Sequence, residues 1–312
     1  MKKLTIFNSS LIRKHVWLRI VRNRYIYMMV IPVVIYLILL KYMPMWFLRS
    51  SFYDYKLLRG FDSKFVGLAN FQRLFNNPSL LKYIGNTLKL NLSALAFLFP
   101  APVIFAILLS HLRFPRLRKG VQTISYLPHF VSTVVLVSMI STLISPSIGS
   151  LAALAKSLGR TPINYLSIPD YFVGINVVSG FWQSVGYESV IYVAALAGID
   201  QGLYEAARID GANRWKQIIY ITLPALSTTI VLLLIMRVGR MLDINFEKVY
   251  LLQNNLNLAA SEMLPTFVYK TGMESQKWGY AAAAGLFNSV ISVALVLGAN
   301  SMSKRISETS LF

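Results

Sequence analysis

Apolar residues in this chain gather into long unbroken runs, with neither the 3.6-residue spacing of a surface helix nor the alternation of a half-buried strand. Six of these runs can cover about 30 Å of hydrocarbon as helices. They lie at roughly 26–46, 86–110, 121–144, 170–198, 221–241 and 280–302. The pattern predicts an all-α polytopic membrane protein of about six transmembrane helices. Pro32, Pro100 and Pro102 fall inside the runs. Kinks are expected there, and their freed backbone groups need neighbouring helices as partners, so the spans should form a bundle. The first run begins only near residue 25, is broad and has no small-x-small cleavage site, so it is expected to stay as a span.

Composition agrees. The 312 residues are 55% hydrophobic and 14% charged, with a mean hydropathy of +0.55; soluble domains carry about a quarter charged residues. The absence of cysteine excludes disulfides, thiolate metal sites and cysteine nucleophiles. His15, His111 and His129 are too scattered for a metal-ligand cluster and read as packing or interfacial residues.

The net charge of +19 is informative once it is placed along the chain. Both ends together with 111–120 and 199–222 hold 16 basic and 4 acidic residues in roughly 70 positions; the alternate loops, 47–85, 145–170 and 242–279, hold 11 and 7 in roughly 100. The denser basic side is assigned to the cytoplasm, which puts both termini there. Arg49, Lys56, Arg59, Lys64, Arg73 and Lys82 form a basic exception on the outer side. The excess is read as topology and attraction to membrane lipids, with no nucleic acid implied. In residues 1–25 the segment "SLIRKHVWLRIVRNR" puts Leu11, Ile12, Val16, Trp17 and Ile20 at helical spacing between cations, as in an interfacial amphipathic helix. The transmembrane domain then covers 26–305, and 306–312 is a cytoplasmic tail.

One cytoplasmic loop, within 199–224, is charged and small-residue-rich out of proportion to a connector. It contains "EAARIDGANRWKQIIYITLP" at 205–224. Leu203 to Ile209 reads as a short helix, Asp210-Gly211 as a turn and Ala212 to Ile221 as a second helix. Asp210 is expected to cap that second helix, and Gly211 to take a backbone conformation that side chains resist. The result is a helix-turn-helix platform whose charges and small face suit a docking partner.

This stretch resembles the EAA loop of the inner-membrane permease subunits of ABC importers. Glu205, Ala206, Ala207, Asp210, Gly211, Ala212, Ile221, Leu223 and Pro224 fit its EAA, DGA and I-x-LP pattern. "IPVVIYLILLKYMPMW", "FVGLANFQRLF", "PAPVIFAILLSHLR", "VQTISYLPHFVS" and "NFEKVYLL" are similar to the carbohydrate subgroup that handles complex, often uronate-containing oligosaccharides. The likeness runs from about residue 25 to 305. It implies a type I importer permease fold in a bacterial inner membrane and alternating access, with the loop acting as the coupling helix. Implied partners are a cytoplasmic ATPase dimer, a second homologous permease and an extracytoplasmic sugar-binding protein that delivers an oligosaccharide. No cofactor is expected on this chain, since ATP and Mg would be used by the partner ATPase. The stretch "GRMLDINFEKVYLL", with Arg237, Arg240 and Asp243, is more charged than that pattern and leaves the exact sugar open.

The residues agree with this division of labour: there is no G-x-x-x-x-G-K-[ST], G-x-S-x-G or H-E-x-x-H, so catalysis by this chain is not expected. Polar groups inside the spans mark candidate cargo contacts. "GFWQSVGYESVIY" supplies Trp182, Gln183, Tyr187 and Glu188; the other spans supply Lys89, Asn91, Arg237 and Asn288. Aromatic faces and hydrogen-bonding groups together match a sugar's C–H face and hydroxyls. Lys89 or Arg237 can attract an acidic sugar, Glu188 can pair with one of them, and Trp182 can equally be an interfacial belt residue. A structural ion pair, a secondary transporter and a membrane scaffold remain alternatives at this level, as does a permease for another solute.

Overall fold

The long apolar runs become helices, and the computed structural model describes residues 22–239 and 246–306. The amphipathic N-terminal segment, Arg240, Asp243 and most of the tail lie outside the described residues. Helix α1 (Arg24–Leu37) passes through a π turn at Ile38–Tyr42 and ends in a 3-10 turn at Trp46–Phe52. Pro32 sits inside α1 without ending it. Helices α2 (Leu80–Leu98) and α3 (Pro100–Ser110) join at Phe99 into one 31-residue span. Pro100 starts a helix there because its missing N–H is a donor the first turn does not use.

The run at 121–144 differs from the expected single span. Helix α4 (Pro115–Tyr126) continues into a 3-10 turn at Leu127–Phe130, and α5 (Thr133–Leu143) leaves at 99° to it. The break falls at Val131 and Ser132, whose backbones are extended, and Ser132 caps the new helix by accepting the Val135 N–H. Helix α6 (Pro169–Ala197), 29 residues and so about 43 Å long, precedes the loop helices α7 (Gln201–Ile209) and α8 (Arg214–Gln217). A π turn at Ile218–Thr222 leads into α9 (Leu223–Gly239). After α10 (Phe246–Leu252) and α11 (Leu264–Tyr269) the chain closes with α12 (Trp278–Ile306). Among the described residues four helices are long and apolar enough to cross a membrane, or five if the bent pair is one span. Long as it is, α6 falls outside that apolar set because polar residues interrupt it.

Helix α6 is the hub. It packs along α2, α3 and α9, and residues from all four sit in two of the three core clusters. Val103, Ala106 and Ile107 meet Tyr192, Leu196 and Leu226 in one; Leu90, Phe172, Val249, Leu252 and Met263 form another. Gly186 lets the α4 end reach the α6 backbone, since a Cβ there would collide with the Ser125 carbonyl.

The non-helical backbone between α10 and α12 needs partners because lipid offers none. Amide side chains supply them: Asn86 donates to the Ala259 and Glu262 carbonyls, Gln253 donates to the Ser261 carbonyl, and Asn257 Oδ1 accepts the Asn254 N–H, while Asn254 and Asn257 tie the segment to the Leu166 carbonyl before α6. The Leu264 N–H donates to Thr87 Oγ1 at 2.9 Å, tying this segment to α2.

Candidate functional site

The loop after α6 forms the platform expected at its centre and differs at its edges. Asp200, an N-cap, accepts the Gly202 N–H at 2.9 Å and starts α7. Glu205, Ala206 and Ala207 lie on α7, with Glu205 and Ala206 exposed. The helix ends where the Gly211 N–H donates to the Arg208 carbonyl and the Ala212 N–H to the Ala207 carbonyl, at 3.1 and 2.8 Å. This pair of bonds is a Schellman motif, and it requires the left-handed backbone that Gly211 adopts at φ +74°. Asp210 therefore closes α7 and does not cap the next helix. Asn213 does that, through its Oδ1 accepting the Lys216 N–H at 2.9 Å. The second helix is also shorter than expected, because the backbone widens into the π turn before Pro224 in the first turn of α9.

The platform is strapped from below and bare above. Gln217 Nε2 donates to the Ala212 carbonyl at 3.0 Å, and Tyr204 Oη lies 2.9 Å from Thr222 Oγ1. Ile209 is 87% exposed and Trp215 73%, and Leu203 and Tyr220 are exposed as well. Apolar anchors ringed by Arg208, Arg214 and Lys216 match the make-up of a docking hot spot. Their role is invisible to motif spacing, since only the fold shows that nothing among the described residues covers them.

Along the spans, three of the eight polar candidates share one half-open cavity. Tyr187, Glu188 and Arg237 line a space of about 500 Å³ with Phe99, Tyr192 and Leu233. Arg237 Nη1 donates to Glu188 Oε2 at 2.6 Å, joining α9 to α6. His129, in the turn between α4 and α5, stacks flat on Tyr187 with ring centroids 3.8 Å apart and planes 3° from parallel. Pro128 within an apolar run is the sequence signal for that turn; nothing in the spacing of the three histidines pointed to this one.

The other candidates are dispersed. Trp182 faces an almost wholly apolar groove of about 610 Å³ between α5 and α6, beside Leu136, Met139 and Ile140. Gln183 Nε2 donates to the Val131 carbonyl at 3.3 Å and braces the bent pair. Asn91 is buried and bonds the Thr87 carbonyl one turn back on its own helix. Lys89 is exposed and lies on α2, away from the Arg237 cavity. Asn288 lines a third space of about 570 Å³ with Phe47, Phe246 and Tyr269, its Oδ1 buried with no hydrogen-bond partner among the described residues. Lys248, unremarkable in the sequence, is buried between α10 and α6, where its Nζ donates to the Asn176 carbonyl at 2.8 Å. Among the described residues no group of three or more histidine or acidic side chains is placed to hold a metal ion.

Residues 99–308 match the family described as binding-protein-dependent transport system inner membrane component. The chain is 37% identical, over 96% of its length and 94% of the relative's, to a polygalacturonan/rhamnogalacturonan transport system permease protein of Bacillus subtilis (strain 168). It is 32% identical over 230 residues, 72% of each chain, to an arabinooligosaccharides transport system permease protein of the same organism. A solved bacterial alginate ABC transporter, in complex with an alginate pentasaccharide-bound periplasmic protein, matches with a TM-score of 0.88 at 35% identity, covering 95% of this chain and 99% of that one. A family match over 99–308, these identities and the shared fold have one reading: the chain belongs to the family of binding-protein-dependent transport system inner membrane components.

Proposed function

We propose that the chain is the permease subunit of an ATP-driven importer of acidic, polysaccharide-derived oligosaccharides in a bacterial inner membrane, with six spans and both termini in the cytoplasm. A second, homologous permease completes the pathway, two cytoplasmic ATPase subunits drive it with ATP and Mg, and an extracytoplasmic binding protein delivers the sugar. The observation that carries the reading is the loop platform: a rigid Schellman-closed helix pair with Ile209 and Trp215 bare and cationic residues around them. A docking ATPase gives those apolar side chains a cover and those charges a partner.

The acidic character of the cargo is read from the cavity around Arg237 and from the names of two relatives. A guanidinium matches a carboxylate in two-point geometry, and the stacked His129 and Tyr187 rings offer a flat surface for a sugar's C–H face. In this reading ATP-driven closure of the ATPases moves the platform, the platform moves α6 and α9, and the cavity between those two helices changes its access. Trp182, Gln183, Lys89, Asn91 and Asn288 are assigned supporting places along the bundle, since each lies apart from this cavity.

The test is co-purification. The wild-type chain, expressed with its permease partner, is expected to retain the ATPase, and Ile209→Asp with Trp215→Ala is expected to lose it while the two permeases stay together. Equal retention by both would overturn the assignment of this platform as the ATPase dock.

A further inference from the structure

Residues 53–66 form a small hairpin immediately after the first span. Tyr53 bridges Phe65, Lys56 bridges Gly60, and the Asp54 N–H donates to the Lys64 carbonyl at 2.9 Å. Ser63 fastens the turn, accepting the Lys56 N–H at 2.9 Å and donating to the Gly60 carbonyl at 2.6 Å. Gly60 takes φ +54° at the bend. At the base, Phe47, Tyr53, Tyr55, Phe61 and Phe65 meet edge to face. Arg49 lies over both Trp46 and Phe61, its carbon 4.4 and 3.4 Å from the ring centres.

The tip opposes the usual rule that a well-ordered soluble turn shows polar residues. Leu57 is 66% exposed and Leu58 102%, while the neighbouring Lys56, Arg59 and Lys64 are exposed as well. The segment also accounts for much of the basic exception on the outer side of the membrane. A span whose apolar window is unburied among the described residues leads directly into this hairpin, so the apolar surface of the span continues into it. A ring of Trp and Tyr followed by Leu flanked with Lys and Arg is the side-chain order of a membrane interface, running from hydrocarbon through the aromatic belt to the headgroups.

We propose that the 53–66 hairpin is an interfacial anchor whose Leu57-Leu58 tip enters the outer face of the bilayer, with Lys56, Arg59 and Lys64 on anionic headgroups. The assignment to the outer face rests on the proposed orientation. The first span packs on α12 chiefly through its Trp46–Phe52 end, and an anchor just beyond that end helps set the depth of its apolar part, which is unburied among the described residues. The cations make the attachment dependent on anionic lipid, because surface potential attracts clustered Lys and Arg and salt screens it.

The absence of cysteine from this chain lets one introduced cysteine take one nitroxide label here, with the partner subunits in cysteine-free form. Leu58→Cys, with Leu57→Cys as a second reporter, is labelled in the complete transporter in nanodiscs, and collisions with oxygen are compared with those of a water-soluble nickel chelate. Oxygen is expected to dominate at both positions, more strongly with anionic than with zwitterionic lipid, and Lys56→Gln with Arg59→Gln is expected to remove that lipid dependence. Dominance of the nickel chelate at both positions would overturn the proposal. So would nickel access that disappears only when the binding protein is added, which would make the tip a protein contact. Labelling Asp62→Cys in intact cells with a membrane-impermeant maleimide reports the side, so a reversed orientation and a failed anchor give different results.

Discussion

Replacing Gly211 separates backbone geometry from contact more cleanly than any other change in the platform. A Cβ built at Gly211 meets no atom within 4 Å, so alanine adds no clash. What it adds is the strain of holding an L-residue at φ +74°, roughly 1–2 kcal/mol. Asparagine tolerates the left-handed region far better than alanine does, because its short polar side chain bonds locally. If the Schellman turn is what holds α7 against α8, Gly211→Ala shifts the platform away from its closed form by about 5- to 30-fold, from RT ln K at that cost. Gly211→Asn shifts it much less. The assay is ATPase activity of the reconstituted complex, with and without sugar-loaded binding protein. Stimulation is expected to fall in the order glycine, asparagine, alanine, with basal hydrolysis by the ATPase little changed. Alanine behaving like glycine, or alanine and asparagine losing stimulation equally, would refute the role given to this backbone conformation.

Two further outcomes follow from the bundle. Arg237→Gln is expected to lower uptake of uronate oligosaccharides about tenfold while leaving the complex assembled, because the guanidinium is the group assigned to the cargo carboxylate and one charged hydrogen bond contributes roughly 1–2 kcal/mol after allowance for partial exposure; unchanged uptake would remove the cavity from the pathway. Gly186→Ala is expected to lower the thermal unfolding midpoint by several degrees, since its Cβ falls on the Ser125 carbonyl and overpacking costs about 1–3 kcal/mol, whereas Gly174→Ala on the same helix, with open space at its Cβ, should be tolerated.

Much was determined by the sequence alone. Unbroken apolar runs specify membrane helices because no other open structure satisfies its backbone in lipid. The EAA loop was legible because a helix end, a left-handed glycine and a restart are local events, encoded within a dozen residues. Even the Glu188 and Arg237 pairing was open to expectation, since charges within a bilayer need partners.

Tertiary structure decided what depends on residues far apart in the chain. Asp210 and Asn213 are both good caps, and only the backbone path selects Asn213 for the second helix. The 99° bend after α4 places His129 on Tyr187, 58 positions away in sequence. Trp182 and Tyr187, five residues apart, serve different cavities because the α6 surface is divided between α5 on one side and α9 on the other. Lys248 illustrates the same limit: its charge is readable in the sequence, but its burial against the Asn176 carbonyl exists only once α10 packs on α6. Local chemistry fixes what each segment can form, and long-range packing fixes which polar groups meet, because that depends on helix rotation, to which a run of apolar residues is indifferent.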